Sequence, residues 1–230
     1  MSERRPNDFL QEHVEIPFSH AQVTAGFITK LPWRAPRRFR FDGTDYFNLT
    51  GLAEHATDFF TVGVANISKA LTFTAFTFTA ATTDICTATA HGLLTGDGPV
   101  RLTTTTTLPA GLALATDYYV IKLSANTFSL AASRTLAYAG TAIDVTDTGT
   151  GTHTLSAASS KRPVVLGSWS TDSAGAGTNS LVANAITALT LNATDSNLIV
   201  EAGEELAIFA LEGGSATLPA GSGTIRGRLV

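Results

Sequence analysis

The sequence predicts an all-β protein built as a β-sandwich. Apolar residues make up 44% of the 230 residues and charged residues 15%, which is typical of a folded chain with a weakly charged surface. Threonine, alanine and glycine are abundant, and short runs of alternating apolar and polar residues are separated by Gly, Pro, Asn and Asp. This combination favours strands and tight turns over helices.

Charge and hydropathy exclude several classes of partner. The formal net charge of −4 argues against nucleic acid or an anionic membrane as a bulk electrostatic partner. A single cysteine excludes an internal disulfide, and no apolar run reaches the roughly 18–20 residues of a membrane span. The beginning of the chain, MSERRPNDFLQEHVEI, has no apolar stretch like that of a signal peptide. We therefore expect synthesis and folding in a cytoplasm.

A small β-module is predicted in the middle of the chain. Within residues 71–79 the apolar phase slips by one at Ala75–Phe76, and such a slip marks a bulge, a turn or the seam between two strands. From there to about Leu155 charges are few and strands are short. They are predicted at 84–90, 100–104, 118–123, 127–131, 142–145 and 153–155. We assign residues 72–156 to a β-barrel or sandwich module.

Strand patterns also flank this module. They lie at 38–46, 59–64, 164–171, 185–191, 198–200, 205–211 and 224–230. We predict that residues 1–71 and 157–230 form one host β-sandwich with an N-terminal arm, and that residues 156–160 are the return linker from the inserted module. Three consecutive units are the alternative, but the first seventy residues would then leave open sheet edges.

Two sets of motifs resemble proteins of tailed bacteriophages. HGLLTGDGPVRL, TLPAGLALATDYYVIKLSANTFSLAAS and AIDVTDTGTGTHTL, within residues 91–155, resemble a β-module that recurs in phage tail, fibre and head proteins. The segment FNLTGLA at 47–53, SWSTD at 168–172, and the tail from VEAGEEL through LPAGSGTIRGRLV are similar to jelly-roll-type head proteins that decorate a capsid shell.

The resemblance implies a non-enzymatic structural protein of a phage virion. We expect a capsid decoration or cement protein with a jelly-roll-like host, bound to the major capsid protein on the outer surface of the head. Such proteins commonly form trimers, so a homo-oligomer is expected, made in the host bacterial cytoplasm. A tail, baseplate or fibre-base component is the alternative within the virion. A carbohydrate-binding or hydrolytic module, with Trp33, Trp169, Tyr118 and Tyr119 as a sugar platform, is the alternative from another class.

Cys86 and His91 raise the question of a nucleophile and its base. A catalytic cysteine needs a base within hydrogen-bond reach and a third group to orient that base. An odd separation along an extended chain places Cys86 and His91 on opposite faces. Alternation places Cys86 with Ala88 on an inward face, as a small core residue.

No cofactor or metal site is predicted. The five histidines, at 13, 20, 55, 91 and 153, are dispersed and show no paired ligand spacing, so we assign them to solvated or turn positions. Asp97, Asp117, Asp144 and Asp147 lie in or beside turns, where an aspartate caps its own backbone; a weak calcium site is the alternative. The Gly-rich run at 173–180 lacks the lysine of a phosphate-binding loop and is predicted to be a hairpin tip.

The basic stretch at residues 30–40 is the candidate partner-binding segment. It contains Lys30, Trp33, Arg34, Arg37, Arg38 and Arg40. Two prolines within it are expected to prevent regular ladder pairing, so that it lies extended on another surface through bidentate and stacking contacts. The alternative is a solvated edge strand whose charges prevent aggregation.

Overall fold

The computed structural model describes residues 13–174 and 180–230. The beginning of the predicted arm and most of the predicted hairpin tip at 173–180 lie outside these residues. Sixteen strands follow one another in the described chain: β1 (His13–His20), β2 (Phe27–Arg34), β3 (Phe39–Asn48), β4 (Phe59–Asn66), β5 (Phe76–Ala80), β6 (Cys86–Thr87), β7 (Gly98–Thr104), β8 (Tyr119–Lys122), β9 (Thr127–Ala131), β10 (His153–Lys161), β11 (Val164–Ser170), β12 (Ala185–Ala188), β13 (Thr190–Leu191), β14 (Ile199–Val200), β15 (Glu205–Gly213) and β16 (Gly221–Leu229).

The only helices in the described residues are short. Helix α1 covers Arg134–Tyr138, and a 3-10 helix covers Asp195–Leu198. The Ser133 side chain caps α1 by accepting a hydrogen bond from the Leu136 backbone N–H. The all-β class predicted from composition and alternation is confirmed. No helix among the described residues is long and apolar enough to cross a membrane.

The chain divides into two compact units. One, here called the sandwich unit, contains, among the described residues, the chain from His13 to Ala25 together with Lys30–Asn66 and Val164–Val230. The other, here called the module, contains Ile67–Pro163 and Gly26–Thr29. A module inserted between β4 and β11 therefore interrupts a fold whose strands come from both ends of the sequence.

The sandwich unit has the strand order of a jelly roll. One sheet has the order β1-β16-β3-β12 with β14 also pairing β3, and the other has the order β13-β11-β4-β15-β2. Four antiparallel pairs are thus nested from the ends of the fold inward: β1 with β16, β2 with β15, β3 with β12, and β4 with β11. An eight-strand hairpin rolled into two sheets in this way is a jelly roll.

The core of the sandwich unit is formed by alternate residues of these strands. Phe39, Phe41, Val64, Leu166 and Ile225 are fully buried, since every second side chain of a strand faces the opposite sheet. Gly167 lets strand β11 approach β3 closely, because a Cβ at this position would lie 3.2 Å from the Phe41 ring.

The module is a closed barrel with its own core. Its six-stranded sheet has the order β7-β10-β5-β6-β9-β8. The two ends of the sheet meet where Val100 and Tyr118 exchange backbone hydrogen bonds of 2.8 and 2.9 Å, which leaves few open edges. The core lies around Phe128, whose ring contacts Phe76, Phe78 and His91.

Several local expectations differ from the structure. Residues 156–160, expected to be a linker, belong to β10, where Ser156 and Ala157 pair with β7 and an irregularity separates them from Lys161. Of the strand predicted over 84–90 only Cys86–Thr87 remains, and 142–145 is not a strand, although Ile143 donates a backbone hydrogen bond to Leu130. Strands β1 and β2 were not predicted. Each difference depends on a partner distant in sequence, which local alternation does not reveal.

Candidate functional site

The predicted partner-binding stretch does not form an unpaired arm in the structure. Lys30, Trp33 and Arg34 lie on β2, at the edge of a five-stranded sheet beside β15, and Arg40 lies on β3. The expectation that two prolines prevent ladder pairing is therefore wrong for Pro32. A proline is tolerated there because β2 is an edge strand and has one side without a ladder.

The basic side chains of β2 are paired within the chain. Glu205, at the start of β15, lies 2.6 Å from the Lys30 ammonium and also accepts a hydrogen bond from Arg34. The hydrogen bond from Lys30 is the largest cause that lowers the pKa of Glu205, and Arg34 adds to it. Lys30 and Arg34 both remain more than half exposed, so these ion pairs are accessible to salt and to competing anions.

Arg38 and Arg40 also have acidic partners. The Arg38 guanidinium lies 3.2 Å from Glu201, and Arg40 bridges Asp42 at 2.6 Å and Asp195 at 2.7 Å. The hydrogen bonds to Asp195 and Asp42 raise the pKa of Arg40. A partner that binds these arginines has to replace carboxylates that they already contact.

The aromatic residues of the stretch are part of the fold. Phe39 is fully buried, and the half-buried Trp33 ring packs edge-on against it with 5.5 Å between ring centroids. Arg37 lies in the exposed connection between β2 and β3. The five basic candidates and Trp33 thus form one surface region, which we call the β2–β3 belt, and Trp33 packs on the buried Phe39.

A second surface of the sandwich unit was missed by sequence reasoning. The side chains of Val182 and Ile186 are 61% and 67% exposed and line a groove of about 600 Å³ together with Trp169. Ile186 lies on β12, which is an edge strand. We call Trp169, Val182 and Ile186 the β12 edge patch. The alternation of residues 185–191 predicted the strand, but only the register with β3 shows that Ile186 faces outward.

The opposite edge of the same sheet is protected. Strand β1 presents His13, Glu15, Pro17 and Ser19 as its exposed residues. Charges and proline on an edge strand prevent pairing with another chain. Strand β12, with the sequence Ala-Ile-Thr-Ala, carries neither a charged residue nor a proline.

Three of the four aromatic residues of the alternative sugar platform have contacts of their own within the fold. Tyr118 is 3% exposed, and its hydroxyl accepts a hydrogen bond from the Ala113 backbone N–H at 2.7 Å. The Tyr119 ring lies under the Arg134 guanidinium, and Trp33 packs on Phe39. The Tyr118 ring is therefore closed to a sugar, and the Tyr119 and Trp33 rings each pack against a different neighbour.

Cys86 is a core residue of the module, as predicted from alternation. It is 1% exposed, and burial, with a smaller effect of Asp84, raises its pKa to about 12. His91 is engaged elsewhere: its Nδ1 accepts from the Leu93 backbone N–H at 3.0 Å and its Nε2 donates to the Thr127 carbonyl at 3.3 Å. This geometry provides neither a thiolate nor a base directed at it.

Two of the histidines that were assigned to solvated or turn positions are not solvated. His91 and His153 are both buried. In His153, Nε2 donates to the Thr148 carbonyl at 3.1 Å, so Nδ1 accepts from the Thr104 hydroxyl at 3.0 Å. Within the described residues, no group of three or more His, Cys, Asp or Glu side chains is arranged to hold a metal ion.

Comparison with known proteins adds no relationship. No protein-family model, curated protein or solved structure matches the chain significantly.

Proposed function

We propose that this chain is a structural protein of a tailed-phage virion, a capsid decoration or cement protein that binds the major capsid protein on the outer surface of the head. The motif resemblance suggests this class. The jelly-roll strand order of the sandwich unit, with a separate barrel inserted between β4 and β11, supports it, because a docking unit and a displayed unit are then distinct parts of one chain.

The observation that carries the docking proposal is the edge of β12, which no described strand covers on its outer side. Strand β12 itself carries no charge and shows the large apolar side chain of Ile186, with Val182 beside it, while Glu54 lines the same groove. A strand edge without charge or proline is an association surface, since monomeric proteins protect such edges. We assign docking on the capsid to the β12 edge patch. Self-association, with a trimer proposed from the resemblance, covers a different sheet edge in a closed ring. Many weak contacts on a repetitive shell then add up to stable attachment.

The β2–β3 belt is a second candidate for the docking contact. Its ion pairs are at least partly exposed and already satisfied, so each replaced contact contributes little net free energy. The two surfaces therefore predict different salt dependence. Docking through the β12 edge patch is weakly salt-dependent, whereas docking through the belt weakens steeply as salt rises.

Particle occupancy tests the proposal. Replacing Val182 and Ile186 together by Lys is expected to lower occupancy on stripped phage heads more than tenfold, with unchanged circular dichroism, because both side chains are exposed in the free protein. The matched control replaces Leu114 and Leu123 of the module, which are 57% and 50% exposed, by Lys. The proposal is overturned if the β12 variant occupies the heads as fully as the wild type does. It is also overturned if gold-labelled protein is found on phage tails in electron micrographs.

A further inference from the structure

A groove opens on the module where two strands separate. Strands β5 and β6 pair at only two positions, Thr79 with Thr87 and Ala80 with Cys86. Beyond them the chain turns away from β5, because the Ala88 backbone N–H donates to the Asn126 carbonyl at 3.0 Å. The resulting groove has a volume of about 550 Å³ and lies within the usual range for ligand sites, about 300–1,000 Å³.

Threonine side chains dominate the lining of this groove. They are Thr77, Thr79, Thr87, Thr89 and Thr152, and all five residues are exposed. We call them, with Phe76, the threonine groove. No residue that lines it carries a charge.

The hydroxyl groups of these threonines are available for a ligand. None of these five side-chain hydroxyl groups makes a hydrogen bond within the described part of the chain. By contrast, the hydroxyl groups of Thr61, Thr104 and Thr127 are hydrogen-bonded. A hydroxyl both donates and accepts. Threonine is stiff at χ1, so little conformational entropy is lost when such a hydroxyl binds a ligand.

Phe76 gives the groove an apolar surface. Its ring is partly buried and is fixed by an edge-on contact with Phe128, with 6.4 Å between centroids. Threonine methyl groups extend this surface. The groove therefore offers fixed hydroxyls and apolar area side by side, without charge.

This chemistry matches an uncharged, polyhydroxylated chain. Sugar rings present hydroxyls at their edges and C–H groups on their faces, which complement threonine hydroxyls and an aromatic ring. An anionic polymer would need basic groups, and none lines the groove. We propose that the threonine groove binds a segment of a neutral polysaccharide, so that the module attaches the protein to a glycan surface. This inference rests on the module alone and does not depend on capsid docking.

Affinity electrophoresis of the full chain tests this inference. Native gels would contain dextran, galactomannan, xyloglucan or soluble starch, with heparin and polygalacturonate as anionic polymers. We expect at least one neutral polysaccharide to retard the protein, equally at low and high salt. Replacing Thr79 and Thr87 together by Val, which keeps the side-chain shape, should weaken that retardation at least about tenfold through the loss of two hydrogen-bonding groups.

A matched pair of threonines provides the control. Thr141 and Thr146 are exposed threonines of the module and lie outside the groove lining. Their joint replacement by Val should leave retardation unchanged. The proposal is overturned if no neutral polysaccharide retards the wild type, if only the anionic polymers do, or if the groove variant and the control variant behave alike.

Discussion

The Asp97 carboxylate accepts hydrogen bonds from the Arg162 guanidinium, with Nε 2.9 Å from one oxygen and a second nitrogen 2.5 Å from the other. Asp97 is fully buried and also accepts from the Leu94 backbone N–H at 2.8 Å. Arg162 follows β10 directly, and its hydrogen bond to Asp97 is the largest cause that raises its pKa. The ion pair thereby holds the end of β10, where the chain leaves the module, against the turn that precedes β7.

Arg162→Ala is expected to destabilise the module by about 3 kcal/mol, because it leaves the Asp97 carboxylate buried without its charged partner. The free energy of unfolding from urea titration measures this loss. Arg101→Ala is the control, since the Arg101–Asp117 pair, at 2.7 Å, is about half exposed on both sides, and its loss should cost under about 1 kcal/mol. Similar losses for the two variants would contradict this account.

Cys86→Ser is expected to cost about 1–2 kcal/mol, because it places a hydroxyl in an apolar core. Assembly should be unaffected. In the wild type, a pKa of about 12 keeps the thiol protonated at neutral pH, so iodoacetamide should label Cys86 only as fast as the module unfolds. Rapid labelling of the native protein, or the loss of a measurable activity in the variant, would contradict the assignment of Cys86 as a packing residue.

His20 is expected to make folding stability depend on pH. Its Nδ1 donates to the Ala21 carbonyl at 2.8 Å, so Nε2 accepts from the Tyr46 hydroxyl at 2.7 Å. Gly221 permits this contact, because a Cβ there would lie 2.4 Å from that hydroxyl. Burial lowers the pKa of His20 below its usual 6.5, which means that the neutral form is favoured in the folded state.

A lowered histidine pKa means that the unfolded chain binds more protons below pH 6.5. The contribution of His20 to stability is therefore complete above about pH 6.5 and is lost as pH falls through the folded pKa. In this range the free energy of unfolding changes by at most about 1.4 kcal/mol per pH unit because of His20. His20→Gln should remove this part of the pH dependence. Urea titrations at several values between pH 7.5 and 5 measure it, and parallel curves for variant and wild type would refute it.

Arg37→Ala with Arg38→Ala tests the β2–β3 belt. If the belt clamps a neighbouring subunit, particle occupancy should fall well over tenfold, since truncating a buried interfacial charge costs about 2–5 kcal/mol. The melting temperature of the free protein should hardly change, because the Arg38–Glu201 pair is exposed. Arg226→Ala, which breaks the exposed Arg226–Asp45 pair, is the control. If the double variant and the wild type occupy the particle equally at low and at high salt, the belt does not bind a neighbouring subunit and is a solvated edge of the fold.

Removal of the module should leave a folded sandwich unit. Asn66 and Val164 are directly paired across β4 and β11, so the two ends of the cut lie as close as neighbouring strands. Replacing residues 67–163 by Asn-Gly closes β4 and β11 into a two-residue hairpin. The shortened chain is expected to be soluble and cooperative in thermal unfolding. Aggregation or loss of the β-sheet circular dichroism signal would show that the sandwich unit needs the module.

Local alternation was enough to predict most of the strands that carry the core. Strand β9 was predicted at residues 127–131 and has those bounds, and β5 begins at Phe76, where the apolar phase was seen to slip. The inward position of Cys86 followed from the same period of two. Such features depend on the fixed alternation of a pleated strand, which is present in the sequence itself.

The candidate surfaces could not be predicted in the same way. In the sequence, a run of arginines suggests side chains available to a partner. In the structure, Glu201, Glu205 and Asp195, which lie 155–171 residues further along the chain, pair with these arginines. Threonines at 77, 79, 87 and 152 look like ordinary strand positions until the separation of β5 and β6 places them around one groove.

By itself, the sequence determined the all-β class, the main strands, the low surface charge and the buried position of its cysteine, because composition and a period of two act locally. Only the tertiary structure decided which strands are edges, which charges are already paired, and which hydroxyls remain open to a ligand. These properties depend on strand pairing between residues far apart in the chain, where one shift of register changes every side chain that faces solvent.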